Sequence, residues 1–162
     1  MQDFDYFVLG RALHITGVVI WIGGVAFVTT VLIPSLKRTA DLENRLELFE
    51  KLEGRFSLQA KVATLITGLS GFYMLYFMNS WDHYLQVQYW WLHLMTLVWV
   101  IFTSVLFVFE PLFLHRWFHE RATRNSDSAF RLLHTMHIVL LLLSLTAILG
   151  SVAGAHGFRF FE

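Results

Sequence analysis

The chain has 162 residues and equal numbers of acidic and basic residues, and 56% of it is apolar against 15% charged. So few charges cannot clothe a soluble globule, and the balanced charge points away from nucleic acid as a partner. Cysteine is absent, which excludes disulfides, thiolate metal sites, iron–sulfur clusters and covalent haem attachment through C-x-x-C-H.

Four segments carry no Asp, Glu, Lys or Arg: Ala12–Leu36, Val62–Trp81, His83–Phe109 and Leu132–Phe158. Each is long enough, at about 1.5 Å rise per residue, to span a hydrocarbon core of ~30 Å. The expected fold is all-α: a single integral membrane domain with helices over 6–36, 57–79, 88–115 and 129–155. The opening Met1-Gln-Asp-Phe-Asp is acidic where a signal peptide is basic, so the first helix is expected to be retained.

Between helices one and two lie Lys37, Arg38, Arg45, Lys51, Arg55 and Lys61. Within that connection Leu42, Leu46, Phe49 and Leu52 recur at helical spacing. The stretch 39–56 reads either as an amphipathic helix on the membrane surface or as an extension of span two. Arg116, Arg121, Arg124 and Arg131 separate helices three and four, and only Arg11 and Arg159 lie elsewhere. The positive-inside rule then predicts both basic connections in the cytoplasm and both termini outside, in a multi-pass protein of the cell inner membrane. Before helix four, Ser126 or Asp127 is the expected cap.

Eight histidines are many for so apolar a chain. His14 on helix one and His93 on helix three lie at similar depth, each roughly 10 Å below the outer surface. Two histidines on different helices at one depth form the usual frame for b-type haem. A flat macrocycle needs room, and small residues collect at that depth: Gly17 and Gly24 on helix one, Gly68 and Gly71 on helix two, Gly150 and Gly154 on helix four. The same glycines equally suit plain close packing. His134 and His137 share a face of helix four, and His115 and His119 a face of helix three. This inner group offers iron ligands for a second haem, with His137 the deepest, or else an interfacial belt of snorkelling side chains. Copper is the competing use of the outer site, with Met74 and Met78 as soft ligands beside His14, His83 and His93. Glu110 and Lys61 stand near the inner boundary, where a quinone, a haem propionate or ordinary snorkelling would each account for them. No hydrolase or nucleotide-binding motif is present.

Ala12-Leu-His-Ile-Thr-Gly-Val-Val-Ile-Trp-Ile-Gly-Gly resembles the first helix of the HemJ/CopD-like group of small membrane proteins. Trp91-Leu-His-Leu-Met and Phe130-Arg-Leu-Leu resemble the openings of the third and fourth helices of HemJ-type protoporphyrinogen oxidases. The resemblance runs loosely over all four spans, and it implies a four-helix fold with His14 as a haem ligand. Met95 stands where that group usually has Lys, and His134-Thr-Met-His137 where it has N-E-x-P, so the polar groups associated with porphyrinogen chemistry are missing. The expectation is a haem-dependent cytochrome b-like protein carrying electrons to or from a quinone or a redox protein. A porphyrinogen or small-molecule oxidase and a CopD-like copper protein are the alternatives, and a homo-oligomer is left open.

Overall fold

A computed structural model describes residues 2–38 and 42–158, without the side chains of residues 2–3, 42–46, 50, 113–115, 119 and 123. Four long helices make up most of the described residues. Helix α1 runs Gln2–Phe27, passes through a π-helical turn at Val28–Leu32 and resumes over Ile33–Lys37. Helix α2 is Leu42–Phe77. Helix α3 runs Trp90–Ser104, continues through a π segment at Val105–Leu114 and ends as His115–Arg124. Helix α4 is Ser126–Ala155. Each contains a stretch long and apolar enough to cross a membrane, and at most a third of each stretch is buried within the bundle. Four helices with exposed apolar faces of this length are the architecture of a multi-pass membrane protein.

The segment between spans one and two belongs to α2: from Leu42 it runs unbroken into the membrane-spanning part. The reason is tertiary. Phe49 is 3% exposed and packs on the rings of Phe118 from α3 and Phe130 from α4. With Val28, Leu32, Ile33 and Leu36 of α1, these rings form a core at the end of the bundle that carries both basic connections. Burial of Phe49 is available only if α2 continues beyond the hydrocarbon. Residues 39–41 and the side chains of Leu42 and Leu46 lie outside the described residues, and Leu52 is exposed.

Asn125 alone joins α3 to α4, and its Oδ1 accepts the Ser128 N–H at 3.0 Å. The cap is therefore Asn125 rather than Ser126 or Asp127, because only Asn125 leaves the helical backbone region. At the opposite, terminal end, α2 and α3 are joined by two short 3₁₀ turns, Trp81–Leu85 and Val87–Tyr89, after Asn79 takes a left-handed φ of 49°.

Helix α1 packs mainly on α2, and α3 mainly on α4. Lipid is as apolar as leucine, so these pairs depend on close fit rather than on exclusion of water. At Gly17 α1 comes close to the α2 backbone: a Cβ there would stand 2.5 Å from Thr67 Oγ1 and 3.3 Å from the Ala63 carbonyl. A second core of Trp21, Ile22, Val25, Ala63, Val98, Phe102 and Leu141 ties both pairs together mid-bundle.

Gly17→Leu is expected to destabilise the detergent-solubilised protein by about 1–3 kcal/mol through overpacking. Gly23→Leu, where an added Cβ meets nothing within 4 Å, should leave the thermal unfolding curve near wild type.

Candidate functional site

His14 turns from α1 onto α2. Its Nδ1 lies 2.9 Å from the Thr67 carbonyl oxygen, with Ser70 Oγ at 3.4 Å. A carbonyl only accepts, so Nδ1 carries the proton and Nε2 keeps its lone pair. Gly71 makes the approach feasible: a Cβ there would stand 3.1 Å from His14 Cε1. Among the described residues, Nε2 has no hydrogen-bond partner. Nearby, Trp21 Nε1, Thr64 Oγ1 and Thr67 Oγ1 are buried without partners, and so is Thr103 Oγ1 on α3. His14, Gly17 and Trp21 follow one another on a single face of α1 at spacings of three and four.

His93 has other company. It is exposed, its Nε2 lies 2.9 Å from the Tyr84 carbonyl, and its ring meets that of Tyr84 edge-on. The Tyr84 hydroxyl in turn lies 2.7 Å from Thr96 Oγ1. His93 thus fastens the α2–α3 connection to the start of α3. The structure takes His14 to α2 and His93 to that connection, so the depth they share in the sequence does not translate into a shared contact. His83 also serves the connection, stacked on Tyr89 with centroids 3.9 Å apart.

The six glycines singled out in the sequence are seats for side chains. Gly17 faces Thr67 and Gly24 faces the Phe56 ring. Gly68 lies under the indole of Trp99, whose Nε1 donates to the Thr64 carbonyl at 3.0 Å. Gly71 holds His14, while Gly150 and Gly154 hold Trp90 and Trp91. The room inferred from small residues is real, and aromatic rings fill most of it. Sequence reasoning missed Trp90, Trp91 and Trp99 as the complement of these glycines. Their signal was three indoles on the one span that lacks glycine.

At the basic end, the two prolines of the chain each fall in or beside a π segment. In the first, the Ile33 N–H donates five residues back to the Val28 carbonyl. The next bond in that register would run from residue 34 to the Thr29 carbonyl, and Pro34 has no N–H to make it. His134 of α4 supplies the missing donor: its Nε2 lies 2.9 Å from the Thr29 oxygen. Its Nδ1 is then the acceptor, and Lys37 Nζ donates to it at 2.9 Å. Both nitrogens of His134 are occupied, which speaks for a structural role over metal ligation. His137, one turn on, is half-buried and donates Nδ1–H to the Leu133 carbonyl at 2.9 Å, leaving Nε2 without a partner among the described residues, as at His14.

Glu110 and Lys61 face one another. Lys61 Nζ is 2.9 Å from Glu110 Oε1, and Ser57 Oγ lies 2.6 and 2.7 Å from the two carboxylate oxygens. The pair clamps α2 to the π segment of α3 beside Pro111. The side chains of His115 and His119 lie outside the described residues. Among the described residues no three His, Cys, Asp or Glu side chains gather in a metal-binding group. Met74 is half-buried and Met78 exposed.

Comparison with protein-family models, with curated proteins and with solved structures finds no match to this chain.

The Thr29–His134 bond predicts a specific coupling. His134→Phe should cost about 1–3 kcal/mol by leaving a carbonyl unmet in a medium without water. In a Pro34→Ala background the restored N–H can serve Thr29, so the same substitution should cost about 1 kcal/mol less or better. A double-mutant cycle of unfolding in detergent reads this term.

Proposed function

We propose that this chain is a b-type cytochrome that binds haem through His14 and carries electrons between the membrane and a quinone or redox-protein partner. The observation that carries the reading is the state of the His14 ring. Its Nδ1–H is fixed by the Thr67 carbonyl, and its Nε2 lone pair is left for a ligand. Histidines that bind iron or zinc have this arrangement, since a carbonyl on the second nitrogen sets the tautomer and raises basicity. The partnerless buried polar atoms of Trp21, Thr64 and Thr67 in the same region add to it. Native seams leave few such atoms, and a cluster of them calls for an explanation. The resemblance of Ala12-Leu-His-Ile-Thr-Gly to the HemJ/CopD-like first helix points the same way.

Bound at His14, haem would supply a one-electron iron couple. Gly71 gives the His14 ring its place and Thr67 its orientation. The residues fit the iron better than they fit the macrocycle, because the glycine seats hold Trp99, Trp90 and Trp91. Of the other histidines, His137 has the same ring state and is the natural ligand for a second haem. Taking His134 as level with Thr29, His137 lies roughly 18 Å from His14 along the bundle axis at ~1.5 Å per residue. Two stations so separated would suit electron movement across the bilayer. The basic end, by the positive-inside rule, faces the cytoplasm, and the termini face outward from an inner membrane.

The test is an optical spectrum of the protein purified from haem-replete cells. A Soret band is expected, with His14→Ala lowering haem per chain at least tenfold while circular dichroism stays helical. His93→Ala should keep most of the haem, since its ring is engaged by Tyr84. Absence of a Soret band, or full haem in His14→Ala, would overturn the proposal.

A further inference from the structure

On the outward side of the α1–α2 seam lies an open groove of about 400 Å³. Its floor is Gly17 and Ala63, where α1 approaches the α2 backbone, and Ile20, Val62 and Ile66 form its walls. The volume is within the ~300–1,000 Å³ of small-molecule sites, yet the lining is almost wholly apolar. Charged and amide side chains occur at one end only: Arg55 and Gln59, on the stripe of α2 that continues down to Val62 and Ile66, while the hydroxyl of Thr16 is the one polar side chain toward the other end. Lys51 stands one turn further out on the same stripe, with Glu47 a turn beyond it. Arg55 and Lys51 are exposed, and among the described residues neither has an ion-pair partner.

We infer that this groove binds an anionic phospholipid, its phosphate held by Arg55, Lys51 and the Gln59 amide and one acyl chain lying over Gly17 and Ala63. Three observations carry it. The cationic end adjoins the start of the apolar run of α2, at the level of a headgroup. From Arg55 to Ile66 is eleven residues, about 16 Å at 1.5 Å per residue, close to half of a ~30 Å core and so one leaflet deep. Finally, the charge lies at one end of an apolar slot, as a lipid with an anionic head and a hydrocarbon tail requires, whereas ordinary boundary lipid needs no such end.

The experiment uses the full chain purified in neutral detergent. It is incubated with dioleoyl-phosphatidylglycerol or dioleoyl-phosphatidylcholine, and retained lipid is counted by native mass spectrometry. The two lipids share their tails and differ in net charge. Wild type should retain phosphatidylglycerol preferentially, with roughly fivefold weaker retention for each basic residue removed in Arg55→Gln, Lys51→Gln and the double variant. Val62→Trp or Ile20→Trp fills the slot and should abolish retention, while Leu142→Trp on the exposed face of α4 should not. A thermal melt of each variant separates misfolding from lost binding. Equal retention of the two lipids would overturn the proposal. So would a preference for phosphatidylglycerol that survives the double substitution, or undiminished retention in both groove-filling variants.

Discussion

A carbonyl oxygen inside hydrocarbon has no water to turn to, and each one left without a donor costs several kcal/mol by the usual reckoning. Regular helix meets that requirement everywhere except where the chain departs from it, and this chain departs at its prolines. Pro34 deletes the donor for Thr29, and α4 is placed so that His134 replaces it. That bond fixes the rotation and height of α4 against α1. Lys37 then closes on the other ring nitrogen, so a cation at the membrane edge shares in the same repair. The clamp beside Pro111, where Lys61 and Ser57 hold Glu110, joins α2 to α3 at the other irregular segment. Between them these two polar contacts pin two interhelical relationships, α1 with α4 and α2 with α3, that apolar packing in lipid would leave free to slide.

The remaining registration comes from glycine and aromatic side chains meeting as complements. Gly68 under Trp99 ties α2 to α3, and Gly150 and Gly154 under Trp90 and Trp91 tie α4 to α3. Such contacts are specific because an indole fits a missing Cβ at one height only. Gly17 works differently: backbone approaches backbone there, bringing α1 and α2 into the longest seam of the bundle. Close approach on the inside of that seam leaves a trough on the outside, so the packing that positions His14 also creates the lipid-facing groove.

The four spans were legible in the sequence because charge-free runs of that length have one physical home. The continuation of α2 below the membrane was not. Leu42, Leu46, Phe49 and Leu52 give one apolar stripe whether a helix lies flat on lipid or stands against protein, and the choice depended on Phe118 and Phe130 far along the chain. Helix rotation was illegible for a related reason. A span apolar on all sides does not reveal which side meets a neighbour, so equal depth of His14 and His93 carried no information about facing. The glycines were legible as room, while their occupants were not, because sequence shows where a Cβ is missing and not which ring arrives.

What separates the histidines is the second ring nitrogen, a property no spacing rule sees. A neutral imidazole has one donor and one acceptor, and its neighbours decide which of these is spare. His134 has spent both, on Thr29 and Lys37; both nitrogens of His93 face carbonyl oxygens, Nε2 that of Tyr84 at 2.9 Å and Nδ1 that of Tyr89 at 3.3 Å. His14 and His137 have spent only the donor, on backbone carbonyls, and among the described residues each keeps an unshared Nε2 lone pair. An unshared lone pair in low dielectric is a weak loss for a neutral ring and a strong gain once a cationic metal centre arrives, so these two positions favour a ligand without being strained in its absence. The division cuts across depth, since one spent and one unspent ring lie in each half of the bundle. Under the proposed reading, iron at either level would rest on one histidine, while the other ring at each level holds the fold.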